Sequence, residues 1–348
     1  MTGKTNNKFL VLIVVLLIST AILFGLDLFL GSVNIPFQEI LDILFSGEST
    51  KESWRIIVLE SRLPKAIAAI LCGSALSVAG LKMQTLFKNP LAGPYILGIS
   101  SGAGLGVAIF IMGLGFLGLS TANISAASNL GIITASIIGS TLVLLLLLAI
   151  INRLKDIMTV LILGIMIGSV ITALIGIIQY FSYDAQLKSF IMWTMGDLSS
   201  ITNSQLSILA PTVIAGLILS FIISKPLNAY LMGEEYAKSL GVNIKKTRVF
   251  IIIITAILAG SITAYCGPIG FIGIVVPHLA RMLTKTYNHS ILIPVVALLG
   301  INILLIADII SQLPGSEKSL PINSITSLIG IPFIIWIIFK NKKISNLN

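Results

Sequence analysis

Apolar residues in this chain come in runs too long for the core of a water-soluble domain. A helix crossing the hydrocarbon of a bilayer needs ~20 predominantly apolar residues. Ten stretches reach that length, some only when their glycines and prolines are counted: approximately 9–30, 66–86, 95–114, 130–151, 158–181, 205–223, 249–265, 269–283, 291–310 and 322–339. The eighth is short and interrupted by Pro277. The runs are continuous, which argues against a β-barrel built from ~10-residue alternating strands. The expected fold is all-α, a polytopic membrane protein with about ten transmembrane helices. The first run follows Lys4 and Lys8. It is long for a signal peptide and no small-x-small site follows it cleanly, so it reads as a retained span. Most connections are short, so residues 1–348 read as a single transmembrane domain.

Two polar segments are longer. Residues 31–65 read as a water-exposed helix and loop, and residues 225–248 are basic. Within the second, MGEEYAKSLGV at 232–242 reads as a short amphipathic helix. Glu234, Glu235 and Lys238 form one polar group, Tyr236, Ala237, Leu240 and Val242 supply apolar contacts, and Gly241 ends the helix. Such a helix has little to pack on in its own chain, so it points to a partner protein.

Composition sharpens this picture. The 348 residues are 56% hydrophobic and 10% charged, with mean hydropathy +1.05. Soluble domains carry roughly 25% charged residues. The formal charge of +9 is distributed unevenly. With the amino terminus inside and ten spans, six of the 22 Lys and Arg fall outside: Lys51, Arg55, Arg62, Lys65, Lys188 and Lys318. The other sixteen fall in inner segments, which places both termini in the cytoplasm. The cations sit at span ends without interleaved aromatics, so nucleic acid is not an expected partner.

Candidate chemistry is sparse. Cys72 and Cys266 lie far apart in apolar surroundings and read as packing residues, and His278 and His289 make no ligand cluster. Gly3-Lys4-Thr5 looks like the end of a phosphate-binding loop but lacks room for its first glycine. Neither a cofactor nor a metal is expected in this chain. Intramembrane ionisable groups are functional candidates by default. Here Asp27 and Asp308 fall toward outer ends, Lys82 and Arg281 toward inner ends, and Gln84 and Gln179 are uncharged. Carboxylates at mid-span, common in ion-coupled carriers, are missing, so the driving force is expected to enter elsewhere. Arg62 and Lys65 flank Leu63-Pro64 before the second span. They read either as a dock for an acidic patch on a partner or as interfacial anchors. NPLAGPYILGISSGAG after the second span and GPIGFIGIVVPH after the seventh both place Gly-Pro before Ile-Gly. If the two halves repeat with four spans each, they face opposite ways, as an inverted repeat.

The motifs resemble a family. RLPK at 62–65, GSALSVAGLKMQTLFKNPLAGPYILGISSGAG at 73–104, LILGIMIGS at 161–169, WTMGDL at 193–198, LNAYLMGEEYAKSLGV at 227–242, GPIGFIGIVVPHLARML at 267–283 and LPINSITSLIGIPFIIWIIF at 320–339 follow one another in its order. The chain resembles the FecCD family, the permease subunits of cobalamin, haem and ferric-siderophore ABC importers. The resemblance implies a cobalamin-importer-permease-like fold and a homodimer or pair with a related permease. It also implies two cytoplasmic ATPase subunits, which carry the ATP and Mg²⁺, and a periplasmic or lipid-anchored substrate-binding protein. This places the chain in a bacterial cytoplasmic membrane as a transport subunit rather than an enzyme. By the same resemblance Met232, Gly233, Glu234, Glu235, Ala237, Leu240 and Gly241 couple to the ATPase, and Arg62 and Lys65 dock the binding protein. The fifth and tenth spans would line the pathway, with Gly164, Gly168, Gly176, Gly330 and Pro332 allowing close approach and bending. The chain departs from the family's usual residues at Gln312, where a basic residue is common, and at Ser319, where Glu is common. The expected substrate is a ferric siderophore, with haem or cobalamin as alternatives. A secondary transporter without an ATPase is the rival class, and the 232–242 surface argues against it.

Overall fold

The computed structural model describes residues 2–47, 49–113, 128–154, 156–312 and 319–345. Its elements are helical. In chain order they are α1 (Thr2–Phe29), α2 (Phe37–Phe45), α3 (Glu52–Leu86), α4 (Ile99–Ile111), α5 (Ser128–Arg153), α6 (Ile157–Tyr180) and α7 (Asp184–Thr194). Then follow α8 (Asn203–Ile222), α9 (Ser224–Leu231), α10 (Glu234–Ser239), α11 (Ile244–Cys266), α12 (Ile272–Thr284), α13 (His289–Ser311) and α14 (Ile322–Ser345).

Each of the ten apolar stretches overlaps one of these helices. Seven are long and apolar enough to cross a membrane: α1, α3, α5, α6, α8, α11 and α13. The apolar parts of α4, α12 and α14 are shorter. Polar residues set several starts by accepting backbone N–H groups that a first helical turn leaves unpaired. Asp156 caps α6, Asn243 caps α11 and Asn288 caps α13. Thr202 and Gln205 form a reciprocal capping box on α8.

The centre of the molecule is α3. Nearly all of it from Pro64 to Leu86 is buried, and α1, α8, α11, α12 and α13 pack around it. Its tightest neighbour is α13. Gly73 and Gly300 face each other there, and a Cβ on either would run into the other's carbonyl oxygen. Small residues let helix backbones approach where lipid supplies no hydrophobic force between helices. Ser77 Oγ donates to Val296 O at 3.0 Å across the same seam. A second layer is formed by α4, α5 and α6.

Polar contacts collect at the two ends of the bundle. At the end carrying α2 and α7, here called outer, Asn203 Nδ2 donates to Glu60 Oε2 at 3.0 Å. At the end carrying α9 and α10, here called inner, Arg281 Nη2 donates to Gln84 Oε1 at 2.5 Å. The inner end also joins Asn228 to the start of α13, through His289 N at 2.8 Å.

Candidate functional site

The inner hook is built from α9, α10 and the turns that bound them. Gly233 and Gly241 have φ of +115° and +82°, a region that side-chain-bearing residues resist. Gly241 closes α10 in a two-bond cap. Val242 N donates to Ala237 O at 3.0 Å and Gly241 N to Lys238 O at 2.9 Å, the pairing that satisfies the last carbonyls of a helix. Six residues are too few for a helix to persist alone, so α10 depends on what it is fastened to.

The fastening is a buried clasp. Arg248, on the first turns of α11, is almost fully covered, and a buried guanidinium requires a partner. Its Nη2 donates to Glu234 Oε1 at 2.6 Å, and the Tyr230 hydroxyl donates to the same oxygen at 2.7 Å. Burial opposes ionisation of Glu234, but the hydrogen bonds from Arg248 and Tyr230 and the charge of Arg248 outweigh it. The carboxyl is held below its ordinary value. Burial, with the bond to Glu234, pushes the Tyr230 hydroxyl up to about 12. Ala237 is fully buried and joins Leu227, Tyr230 and Ile244 in one apolar cluster.

The polar group expected from helical spacing is thereby divided. Glu234 faces inward, while Glu235 and Lys238 pair in solvent at 2.6 Å. The apolar contacts divide too. Ala237 belongs to the chain's own core, whereas Met232, Tyr236 and Leu240 are 70%, 50% and 58% exposed. The hook thus presents three large apolar side chains to solvent from a rigid mount. Sequence reasoning missed Arg248 and Tyr230 as its supports. The signal was present in a buried-end arginine fourteen residues from a glutamate, but nothing local pairs them.

Arg62 and Lys65, expected either to dock a partner or to anchor the interface, both make contacts within the chain. Arg62 Nη1 donates to Leu28 O at 2.8 Å and Phe29 O at 2.9 Å, and its Nη2 to Val33 O. The carbonyls at the end of α1 and in the turn after it lack helical partners, and the guanidinium supplies them. Lys65 Nζ lies 3.1 Å from Asp308 Oδ1, a carboxylate that is itself buried. Gln312 Nε2 donates to Asp27 Oδ1 at 2.8 Å and to Asp308 Oδ2 at 3.2 Å. Gln312 therefore serves as a bridge between α1 and α13. Ser319 and Lys65 line a cleft of ≈ 310 Å³ at this end, and Lys318 lies outside the described residues.

The glycines proposed for the pathway fall into three settings. Gly164 and Gly168 on α6 pack against the backbone around Ile96 to Gly98. Gly330 on α14 packs against Phe271, and Gly176 has open space beside it. Pro332 lies inside α14 and is exposed. Large parts of α6 and α14 carry exposed apolar residues, among them Ile165, Met166, Val170, Leu328, Ile331 and Ile335. Cys72 and Cys266, distant in sequence, meet with their Sγ atoms 3.2 Å apart between α3 and α11.

Seven helices long and apolar enough to cross a membrane, with a clasped hook that exposes apolar side chains at one end, define a polytopic membrane protein with a surface suited to a partner. Comparison with known proteins makes this specific. The sequence pattern of the FecCD transport family matches residues 12–340, and the chain belongs to that family. The hemin transport system permease protein HmuU of Yersinia pestis is 34% identical over 90% of this chain and 92% of its own length. The vitamin B12 import system permease protein BtuC of Salmonella paratyphi A is 35% identical over 85% of this chain and 88% of its own. A solved transporter described as of the metal-chelate ABC type, in an inward-facing conformation, superposes with a TM-score of 0.81. It is 26% identical and covers 94% of this chain and 98% of its own. The chain is an ABC importer permease of the metal-chelate type.

Proposed function

We propose that this chain forms the translocation pathway of a binding-protein-dependent importer for an iron chelate, a ferric siderophore. Two cytoplasmic ATPase subunits, which hold the ATP and Mg²⁺, drive it, and a periplasmic or lipid-anchored protein delivers the substrate. The observation that carries this reading is the exposed group Met232, Tyr236 and Leu240 on the clasped hook. Large apolar side chains in water are covered favourably by a partner, and the clasp makes the hook stiff enough to transmit that partner's movement. The names of the hemin and vitamin B12 relatives favour a second reading, the same role for haem or cobalamin. Two copies, or this chain and a related permease, would oppose their α6 and α14 faces around a central pathway. ATP binding would then tilt the helices between outward and inward access. The membrane is the bacterial cytoplasmic membrane, with α9 and α10 inside. At the outer rim Arg62 and Lys65 would hold the docking surface in shape rather than contact the binding protein themselves.

Burying a large apolar side chain fully contributes roughly 1.5–3 kcal/mol. Changing Tyr236→Ala with Leu240→Ala is therefore expected to weaken ATPase capture by about 100-fold, while membrane insertion is unchanged. Co-purification of the ATPase and substrate-stimulated ATP hydrolysis in reconstituted vesicles measure this. Normal assembly and normal uptake in the double variant would remove the hook from the mechanism. Uptake of labelled ferric siderophore, haem and cobalamin by the wild-type vesicles separates the substrates.

A further inference from the structure

At the inner end, the turn after α3, the last turns of α12 and the start of α13 enclose a cleft of ≈ 580 Å³. Its wall carries Lys88, His278 and Arg281, and among the described residues no carboxylate lines it. The Gln84 side chain orients the guanidinium by accepting from Arg281 Nη2 at 2.5 Å. Lys88 sits at φ +48°, uncommon for a residue with a side chain. Its ammonium stands 5.9 Å from the centre of the Tyr230 ring. The nearby carboxylate of Glu234 is already engaged by Arg248 and Tyr230. Among the described residues neither Lys88 nor Arg281 forms an ion pair. The floor is polar and internally satisfied, with Thr85 Oγ1 2.8 Å from His289 Nε2 and His289 Nδ1 2.9 Å from Asn228 Oδ1. The remaining wall is apolar, formed by Leu81, Leu231, Met282 and Leu292. Tyr287, which also lines it, is exposed.

Cations gathered in a cleft without an anion repel one another, and a bound anion relieves that cost. The cleft also lies where apolar helices end, and it pairs its cations with an apolar wall. We propose that it binds the phosphate of an anionic phospholipid headgroup. Lys88 and Arg281 hold the phosphate, while the glycerol and first methylenes lie on Leu81, Met282 and Leu292. Basic pockets between spans at the cytoplasmic side suit such headgroups. An acidic side chain of a protein partner would satisfy the cations but leave the apolar wall without a complement. Because Leu231, at the end of α9, lines the site, a bound lipid would brace the mount of the hook.

The test uses the full-length permease, stripped of lipid in neutral detergent and then offered phosphatidylglycerol or phosphatidylcholine. Retained lipid is measured by mass spectrometry. Lys88→Gln with Arg281→Gln is expected to lower phosphatidylglycerol retention by roughly tenfold or more, since each basic residue contributes substantially near an anionic surface. Phosphatidylcholine retention should not change. Arg281→Lys should keep most of the binding, and millimolar inorganic phosphate should displace part of the lipid. Melting temperature and gel filtration report folding, and Lys88→Gln alone carries the comparison if the double variant fails them. Equal phosphatidylglycerol retention in wild type and variants overturns the proposal. Inorganic phosphate binding without preference for phosphatidylglycerol makes the cleft a free-anion site and also overturns it. So does a variant that keeps its lipid but loses the ATPase, which would make the cleft a protein contact.

Discussion

Glu234 has two neighbours that donate to one oxygen, and this determines how the hook responds to acid. Its carboxyl is depressed from 4.5 in the folded protein. The clasp's contribution is therefore fully present above that ordinary value and is lost as pH falls through the lower, folded one. At neutral pH the hook should be fastened, and it should loosen only in acid. Protection of the Val242 amide, which donates to Ala237 O, against hydrogen exchange, expressed relative to the free rate at the same pH, should fall in acid in the wild-type background. In Arg248→Ala it should already be low at pH 7. Equal, high protection in both backgrounds at every pH would show that apolar packing alone holds α10. Gly241 makes a second claim at this scale. Its φ of +82° suits glycine, tolerates asparagine and penalises a β-branched residue. Gly241→Val should thus lose stimulated ATP hydrolysis while Gly241→Asn retains much of it. Equal activity of the two variants would mean that the cap conformation does not matter to coupling.

Among the elements, α3 and α13 depend on each other most closely. Their contact at Gly73 and Gly300 leaves no volume for a side chain on either. Inserting atoms into a packed contact costs about 1–3 kcal/mol, and more where backbone must move. Gly73→Val should lower the thermal midpoint of the detergent-solubilised protein by several degrees and reduce its yield. Gly176→Val, on α6 with open space around it, should leave both unchanged in the single chain. A loss of uptake in the folded Gly176→Val protein would then reflect what lies across that open face. The contrast between the two glycines tests packing within the chain separately from packing against a second one.

For the molecule as a whole, the uneven distribution of cations predicts that both termini and the hook are cytoplasmic, and that α2 is outside. Single cysteines from Glu52→Cys and Ser345→Cys, in a chain with Cys72 and Cys266 replaced, report this. An impermeant thiol reagent applied outside should label the first and spare the second, and the opposite result would invert the orientation. The fold already separates the same two ends. Arg62 and the linked Lys65, Asp308 and Gln312 lie at one of them, and Gln84, Arg281, Asn228 and Glu234 lie at the other.

The chain's own pattern determined the class of fold and the location of the hook. Ten apolar runs and one basic, amphipathic interruption are local features, and local periodicity and length are enough to read them. Gly241 was legible for the same reason, since a glycine closing a short helix has one common use. The direction in which charges point was not legible. Arg62 serves carbonyls of another helix, Lys65 pairs with Asp308 from the far end of the chain, and Gln312 joins two carboxylates that sequence places 281 residues apart, at 27 and 308. Glu234 likewise turned inward because Arg248 is buried beside it. Burying a charge is costly unless it is paired, and the partner is chosen by which helices pack together. That choice belongs to the tertiary structure.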